Sequence, residues 1–330
     1  MEALKQVETA LNYLAKDSEK PATYMYEPPA GIPRRSGNYS RYPVTIINGR
    51  TVAQDLTLDA QGFMLRRHET KVVDFYDEKE VRAVYYPEIE QLLKTTLGAT
   101  KVVVFDHNVR CATKAERKES NANMPVMMAH NDYTLKSGPQ RVRDLVGGEE
   151  AERLLQYRFM QINVWRPIAG PVQANPLAVC DAQSMTLQDF VQTDLIYHDR
   201  VGEVYSVAYN PNHRWFYFPQ MQRTEVLFLK GFDSASDGRA RFTAHTSFDD
   251  PTTPPGAPAR ESIETRTEHD ILTDAALGSL RQSILGKSAA HSHEGPRQDR
   301  LRLFGIAKLR KHVRVTRLRD QLEDNRIVQD

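Results

Sequence analysis

Cysteine is scarce in this chain. Cys111 and Cys180 are the only two among 330 residues, too few for the disulfide framework of a small secreted scaffold. Long hydrophobic runs are missing too: no stretch approaches the roughly 18 apolar residues of a membrane-spanning helix. The start, MEALKQVETALNYL, has an acidic second residue and polar interruptions where a signal peptide has a basic start and an apolar run. Nor does one sign of charge dominate. With 44 Lys+Arg against 43 Asp+Glu the formal net charge is +1, so no global field draws the chain to nucleic acid or to an anionic membrane. The expectation left by these absences is a soluble cytoplasmic protein. Its 40% hydrophobic content suffices for a core and excludes a wholly disordered chain. No repeat of about 20–50 residues is visible.

Leu4, Val7, Leu11 and Leu14 have helical spacing, which predicts an amphipathic N-terminal helix over 1–20. Residues 21–45 read as an extended surface segment. The run 43–50 reads as a strand entering a turn, with Asn48-Gly49 as a hairpin signal. A helix is expected over 77–97, stopped by Gly98, and a shorter one from Gly148 to Tyr157 with glutamates in its first turn. Between them and up to residue 266, short β-rich runs dominate: 101–105, 159–165, 177–180, 204–209, 214–218 and 225–229. Strands of this length without long intervening helices predict a mainly β fold with flanking helices, a barrel or double-sheet jelly roll. The jelly-roll domain is assigned to 21–267. The remainder, 268–330, is expected to be an atypical tail, helical and then polar, with a basic amphipathic run at 297–319.

The first chemical constellation is His130-Asn131-Asp132, following the apolar run Met124 to Met128. On a strand, residues i and i+2 face one side, so an imidazole and a carboxylate address one point. A third ligand would complete the 2-His-1-carboxylate set of non-haem Fe(II), and His245, in the β-like run 242–248, is the candidate. Beyond the Pro-rich loop 249–258 comes Arg260-Glu261-Ser262. A guanidinium and a hydroxyl on one strand face suit the distal carboxylate of an iron-chelating 2-oxo acid, with Arg266 a rival for the same task. Asn163, Trp165 and Tyr217, on probable strands, are candidate walls of a substrate pocket, although strand aromatics are more often plain core. Arg166 is a candidate anchor for a loop carboxylate. His291 and His293 lie in Ser/Ala/Gly-rich sequence and read as a solvated tail, and the two cysteines read as buried apolar residues.

Several strings carry a family resemblance: His130-Asn131-Asp132-Tyr133-Thr134, Asn163-Val164-Trp165-Arg166-Pro167-Ile168, Tyr205-Ser206-Val207-Ala208-Tyr209-Asn210-Pro211, Trp215-Phe216-Tyr217-Phe218-Pro219, and the run from Lys230-Gly231-Phe232 through His245 to Ser262. Over residues 20–266 they closely resemble the fungal hydroxylase/desaturase family typified by the aspergillic-acid pathway enzyme. The resemblance implies an Fe(II)- and 2-oxoglutarate-dependent oxygenase on a double-stranded β-helix, using O₂ to oxidise a small secondary metabolite. It implies His130, Asp132 and His245 as iron ligands and Arg260 as the 2-oxoglutarate anchor. One departure stands out: where the family ends on an apolar strand, this chain reads Thr265-Arg266-Thr267-Glu268-His269-Asp270. The last strand is therefore expected to be truncated or replaced. A catalytically inactive barrel that binds a small molecule or partner is the alternative. Substrate, oligomeric state and the choice between hydroxylation and desaturation are not legible.

Overall fold

The structure is a computed structural model that describes residues 4–16, 18–117 and 120–271. The expectations for 272–330, including the His291/His293 pair and the basic run 297–319, lie outside the described residues. The strands are β1 (Gln6–Leu14), β2 (Ala22–Tyr24), β3 (Tyr39–Asn48), β4 (Phe63–Arg67), β5 (Lys101–Arg110), β6 (His130–Asn131), β7 (Arg158–Pro167), β8 (Leu177–Cys180), β9 (Phe190–Ile196), β10 (Val201–Val207), β11 (Trp215–Tyr217), β12 (Glu225–Asp233), β13 (His245–Ser247) and β14 (Ser262–Ile271). The helical segments are α1 (Glu78–Glu80), a π-helical turn (Val81–Tyr85), α2 (Tyr86–Leu97), α3 (Ala112–Arg117), α4 (Ser137–Val146) and α5 (Gly148–Leu154).

The strands form a nine-stranded sheet, in the order β1-β3-β11-β8-β13-β6-β10-β9-β2, and a five-stranded sheet, β4-β12-β7-β14-β5. Trp165, Leu227 and Leu229 of the smaller sheet pack with Val179 and Phe216 of the larger one, so the two sheets share an apolar interior. This is the jelly-roll arrangement of facing sheets. The other face of the smaller sheet, with Ile162, Val164, Phe228 and Ile263, packs with Ile89 and Leu93 of α2. Helix α2 ends as the sequence predicts, with Gly98 in the left-handed conformation at φ 67° and its N–H on the Lys94 carbonyl. Burial pushes the Cys180 thiol well above its ordinary range, leaving an inert buried sulfur.

Three expectations are corrected. Residues 6–14 form a strand, not a helix: Val7, Leu11 and Tyr13 are buried on one face at even spacing, and the strand pairs antiparallel with β3 along its whole length. Tertiary pairing overrides the helical spacing. Asn48-Gly49 turns no hairpin, because β3 lies between β1 and β11. Asn48 instead caps the 3-10 turn Gly49–Val52 by accepting the Arg50 N–H at 3.0 Å. A Cβ at Gly49 would stand 2.8 Å from the Phe218 ring, which explains the glycine. Finally, the last strand is intact. β14 runs through the polar stretch 265–270, pairs with both β5 and β7, and carries the compact unit to Ile271. The domain thus extends past 267. Its polar side chains are engaged in different ways: the Thr267 hydroxyl donates to the Ile162 carbonyl at 2.6 Å, Arg266 pairs with the Asp106 carboxylate, and the Gln161 amide donates to Glu268 at 2.7 Å.

Candidate metal centre

His130 on β6 and His245 on β13 are direct partners in the nine-stranded sheet. Opposed residues of antiparallel strands put their side chains on one face. The two imidazoles accordingly meet, with ring centroids 4.4 Å apart. Asp132, just past β6, brings Oδ1 to 3.6 Å from His130 Nε2. One ligand atom from each of the three residues lies within 4.8 Å of the others. Nδ1 of His130 lies 2.8 Å from the Met128 carbonyl, and Nδ1 of His245 lies 3.1 Å from the Thr243 carbonyl. A carbonyl only accepts, so each ring carries its proton on Nδ1 and leaves an Nε2 lone pair for a cation. Burial, then the charge of His245, pushes His130 down to about 4 and keeps it neutral near pH 7. Burial works to raise the Asp132 carboxyl, but the two imidazoles, Arg266 and Asn163 together hold it below the usual carboxylate range. Two neutral nitrogens and one anionic oxygen suit a first-row divalent ion with positions to spare.

Asn163 fixes the carboxylate. Its Nδ2 donates to Asp132 Oδ2 at 2.5 Å and to Glu264 Oε1 at 2.9 Å, which leaves Oδ1 on the histidine side. Hydrogen bonds behind a ligand set its orientation. Asn163 does face inward, as expected, but its fully buried amide is engaged by these carboxylates, so it supports the metal set and is no wall of the cleft.

A small cleft opens beside the triad, lined by Arg110, Val126, His130, Trp165, Leu177, His245, Ser247, Arg260 and Glu264. Trp165 is therefore a wall, as expected. Arg260 lies against it, with its guanidinium carbon 5.5 Å from the ring centroid. Nη1 of Arg260 donates to Ser247 Oγ at 2.9 Å and to the Asn175 carbonyl at 2.6 Å. Burial, then the charge of Arg110, pushes this guanidinium down to about 9. Its Nε and the Ser262 hydroxyl find no hydrogen-bond partner among the described residues. Buried polar atoms left in that state are costly, and a ligand carboxylate is the group that would satisfy both. The rival is otherwise engaged: the Arg266 guanidinium is paired with the Asp106 carboxylate on β5 through two contacts, one of them 2.6 Å.

Tyr217 is corrected outright. It pairs with Ala178 on β8, whereas His245 pairs with the next residue, Val179, so Tyr217 faces away from the triad. It packs edge-on against Phe248 with centroids 5.5 Å apart. Arg166 anchors no carboxylate: it is buried on the outer face of the smaller sheet, with Nη2 on the ring nitrogen and carbonyl of His68. Arg110, Ser247 and Glu264 were not anticipated. Ser247 stands at i+2 from His245 and Glu264 at i+4 from Arg260, and strand parity alone would have flagged both. Nothing in its local sequence marks Arg110.

Facing sheets with a His-Asp-His triad and a buried guanidinium in one cleft define a jelly-roll oxidoreductase of the non-haem metal type. Comparison with known proteins agrees. Residues 11–268 match the family model described as an oxidoreductase/YMDC permease-like domain. The hydroxylase/desaturase efuI of Hormonema carpetanum is 34% identical over 282 residues, covering 79% of this chain and 93% of its own. The alpha-ketoglutarate-dependent dioxygenase phiK of a fungal strain is 33% identical over 224 residues, covering 65% and 79%. The solved structure of the iron and alpha-ketoglutarate-dependent endoperoxidase NvfI shares the fold at TM-score 0.73, covering 81% of this chain and 98% of its own at 24% identity. The chain belongs to the hydroxylase/desaturase family of Fe(II)/2-oxoglutarate-dependent dioxygenases. Nothing supports the inactive-barrel alternative, and the intact β14 removes its motive.

Proposed function

We propose that His130, Asp132 and His245 hold Fe(II) and that Arg260, with Ser247 and Ser262, receives the distal carboxylate of 2-oxoglutarate. The observation that carries the reading is the β6–β13 register, which opposes the two histidines while each is locked into the same tautomer by the carbonyl two residues before it. Iron bound there supplies, with 2-oxoglutarate and O₂, the oxidant that removes hydrogen from a substrate carbon. The protein's own residues do the rest. Asn163 keeps one Asp132 oxygen turned to the metal. Arg260 gives the co-substrate a fixed end, so that its other end meets the metal in one orientation. Trp165, Val126 and Leu177 are the apolar part of the cleft wall and exclude water.

The substrate on this reading is a small secondary metabolite, hydroxylated or desaturated. The activity needs no nucleic acid or membrane partner. Among the described residues no helix is long and apolar enough to cross a membrane, and both cysteines are free and buried, which fits a cytoplasmic site of action. Protein mixed anaerobically with Fe(II) and 2-oxoglutarate should develop the weak visible charge-transfer band of the chelate, and His130→Ala or Asp132→Ala should abolish it. A band unchanged in both variants would refute the ligand assignment.

A further inference from the structure

Arg260 stands outside the ladder that fixes its neighbours. Ser262 is the first paired residue of β14, opposite Arg110 and Pro167. Upstream runs a largely exposed loop containing Pro251, Pro254, Pro255 and Pro258, whose backbone gives Arg260 no sheet pairing. The Arg260 guanidinium is held by Ser247 and the Asn175 carbonyl, and the backbone is restrained further through the residue between. By strand alternation the Glu261 side chain projects away from the cleft faced by Arg260 and Ser262. There its Oε2 accepts the Tyr76 hydroxyl and lies 3.1 Å from Lys114 Nζ. The same ammonium sits 3.7 Å from the Tyr76 ring centroid, so the three groups hold one another. The Glu261 carbonyl accepts the Ile168 N–H at 3.0 Å.

Each partner is itself anchored. Tyr76 belongs to a turn in which its N–H donates to Asp74 Oδ1 at 2.8 Å, and Glu80 accepts the N–H groups of Val73 and Asp74 at 2.7 and 2.9 Å. Lys114 lies on α3, which begins two residues after the cleft residue Arg110. Half-buried carboxylate contacts of this kind are screened less than surface pairs.

We propose that Glu261, clasped by Tyr76 and Lys114, is a positioning residue that aims the Arg260 guanidinium into the cleft and so governs affinity for the co-substrate's distal carboxylate. This rests on the assignment of Arg260 to 2-oxoglutarate. The metal triad is built on the opposite sheet, so it is independent of the clasp.

Calorimetric titration of the Mn(II)-loaded full chain tests the idea with two probes: 2-oxoglutarate, and pyruvate, a 2-oxo acid without the distal carboxylate. Glu261→Ala is expected to raise the 2-oxoglutarate Kd about tenfold, since a misplacement near 1 Å is enough for such losses. Pyruvate and Mn(II) affinities should stay within about twofold. Glu261→Gln still accepts the Tyr76 hydroxyl and should restore much of the affinity, and Tyr76→Phe should cost less than Glu261→Ala. An unchanged 2-oxoglutarate Kd in Glu261→Ala overturns the proposal, as do equal losses for both 2-oxo acids or a parallel loss of Mn(II). Arg260→Met separates the two layers of the argument: if it leaves 2-oxoglutarate affinity intact, the Arg260 assignment itself is wrong. If it abolishes that affinity while the Glu261 variants do not, only the clasp is wrong.

Discussion

The two faces of the nine-stranded sheet are built from alternate residues of the same strands and do different work. On the inner face Phe216, Val179, His245 and His130 line up across β11, β8, β13 and β6. On the outer face the neighbouring positions, Trp215 and Tyr217 with Cys180 and Ala178, pack with Val7, Leu11 and Tyr13 of β1. Both faces bury polar groups. The outer ones are largely paired with one another: Trp215 Nε1 donates to the Tyr13 hydroxyl at 2.6 Å and that hydroxyl lies 3.1 Å from His213 Nδ1, while His213 Nε2, 3.4 Å from Asp189, makes no hydrogen bond among the described residues. Beside the triad, the buried Arg260 Nε and Ser262 Oγ are left without partners among the described residues, and the three candidate ligand atoms lie within 4.8 Å of one another. A buried polar group marks function when its needs point into open space, and structure when its neighbours meet them.

If this contrast is right, inner-face variants cost binding and outer-face variants cost stability. The largest effect is expected at Arg260. Arg260→Met removes the partner of a buried ligand carboxylate, a loss of about 2–5 kcal/mol in 2-oxoglutarate affinity by calorimetry. The same change removes a buried cation with an unmet donor, so thermal unfolding should show no loss of stability. Asn163→Ala should weaken Mn(II) binding about 10–100-fold by freeing the Asp132 carboxylate. Across the sheet, Tyr13→Phe strands the Trp215 N–H and should cost about 1–3 kcal/mol in urea unfolding, with Mn(II) affinity unchanged. A loss of metal affinity there would break the contrast.

A separate effect is a pH slope from the five-stranded sheet. Burial pushes His269 down to about 3, below its unfolded value near 6.5. The folded state therefore holds this ring neutral while the unfolded state takes up a proton. Its contribution is fully present above about pH 6.5 and is lost as pH falls towards 3, by up to about 1.4 kcal/mol per pH unit. Unfolding followed from pH 7 to 4 should show that slope reduced in His269→Gln. An identical slope would remove His269 from the account.

The metal ligands were legible because their information is local. His130 and Asp132 sit two residues apart, and His245 and Arg260 stand in short strings that resemble the family's. Strands such as β7, β8 and β12 were legible for a similar reason, their β-branched and aromatic runs. What remained hidden depended on pairing. Leu4, Val7, Leu11 and Leu14 have helical spacing, and only the pairing with β3, distant in sequence, makes 6–14 a strand. Tyr217 was placed in the pocket because its face is set by register with β8, which its own string does not contain. The segment 265–270 looked unlike a strand because its side chains are polar, and the β5 and β7 partners that make it one lie far off in sequence. Arg110 joined the site through the β14–β5 pairing, again invisible locally.

The central claim is that the β6–β13 register, with Asp132 held by Asn163, builds the metal site. Anomalous scattering from crystals grown with Mn(II) or, anaerobically, Fe(II) tests it most directly. The account predicts one strong peak about 2.1 Å from His130 Nε2, His245 Nε2 and Asp132 Oδ1. A peak on either Nδ1, or one that omits His245, would contradict it.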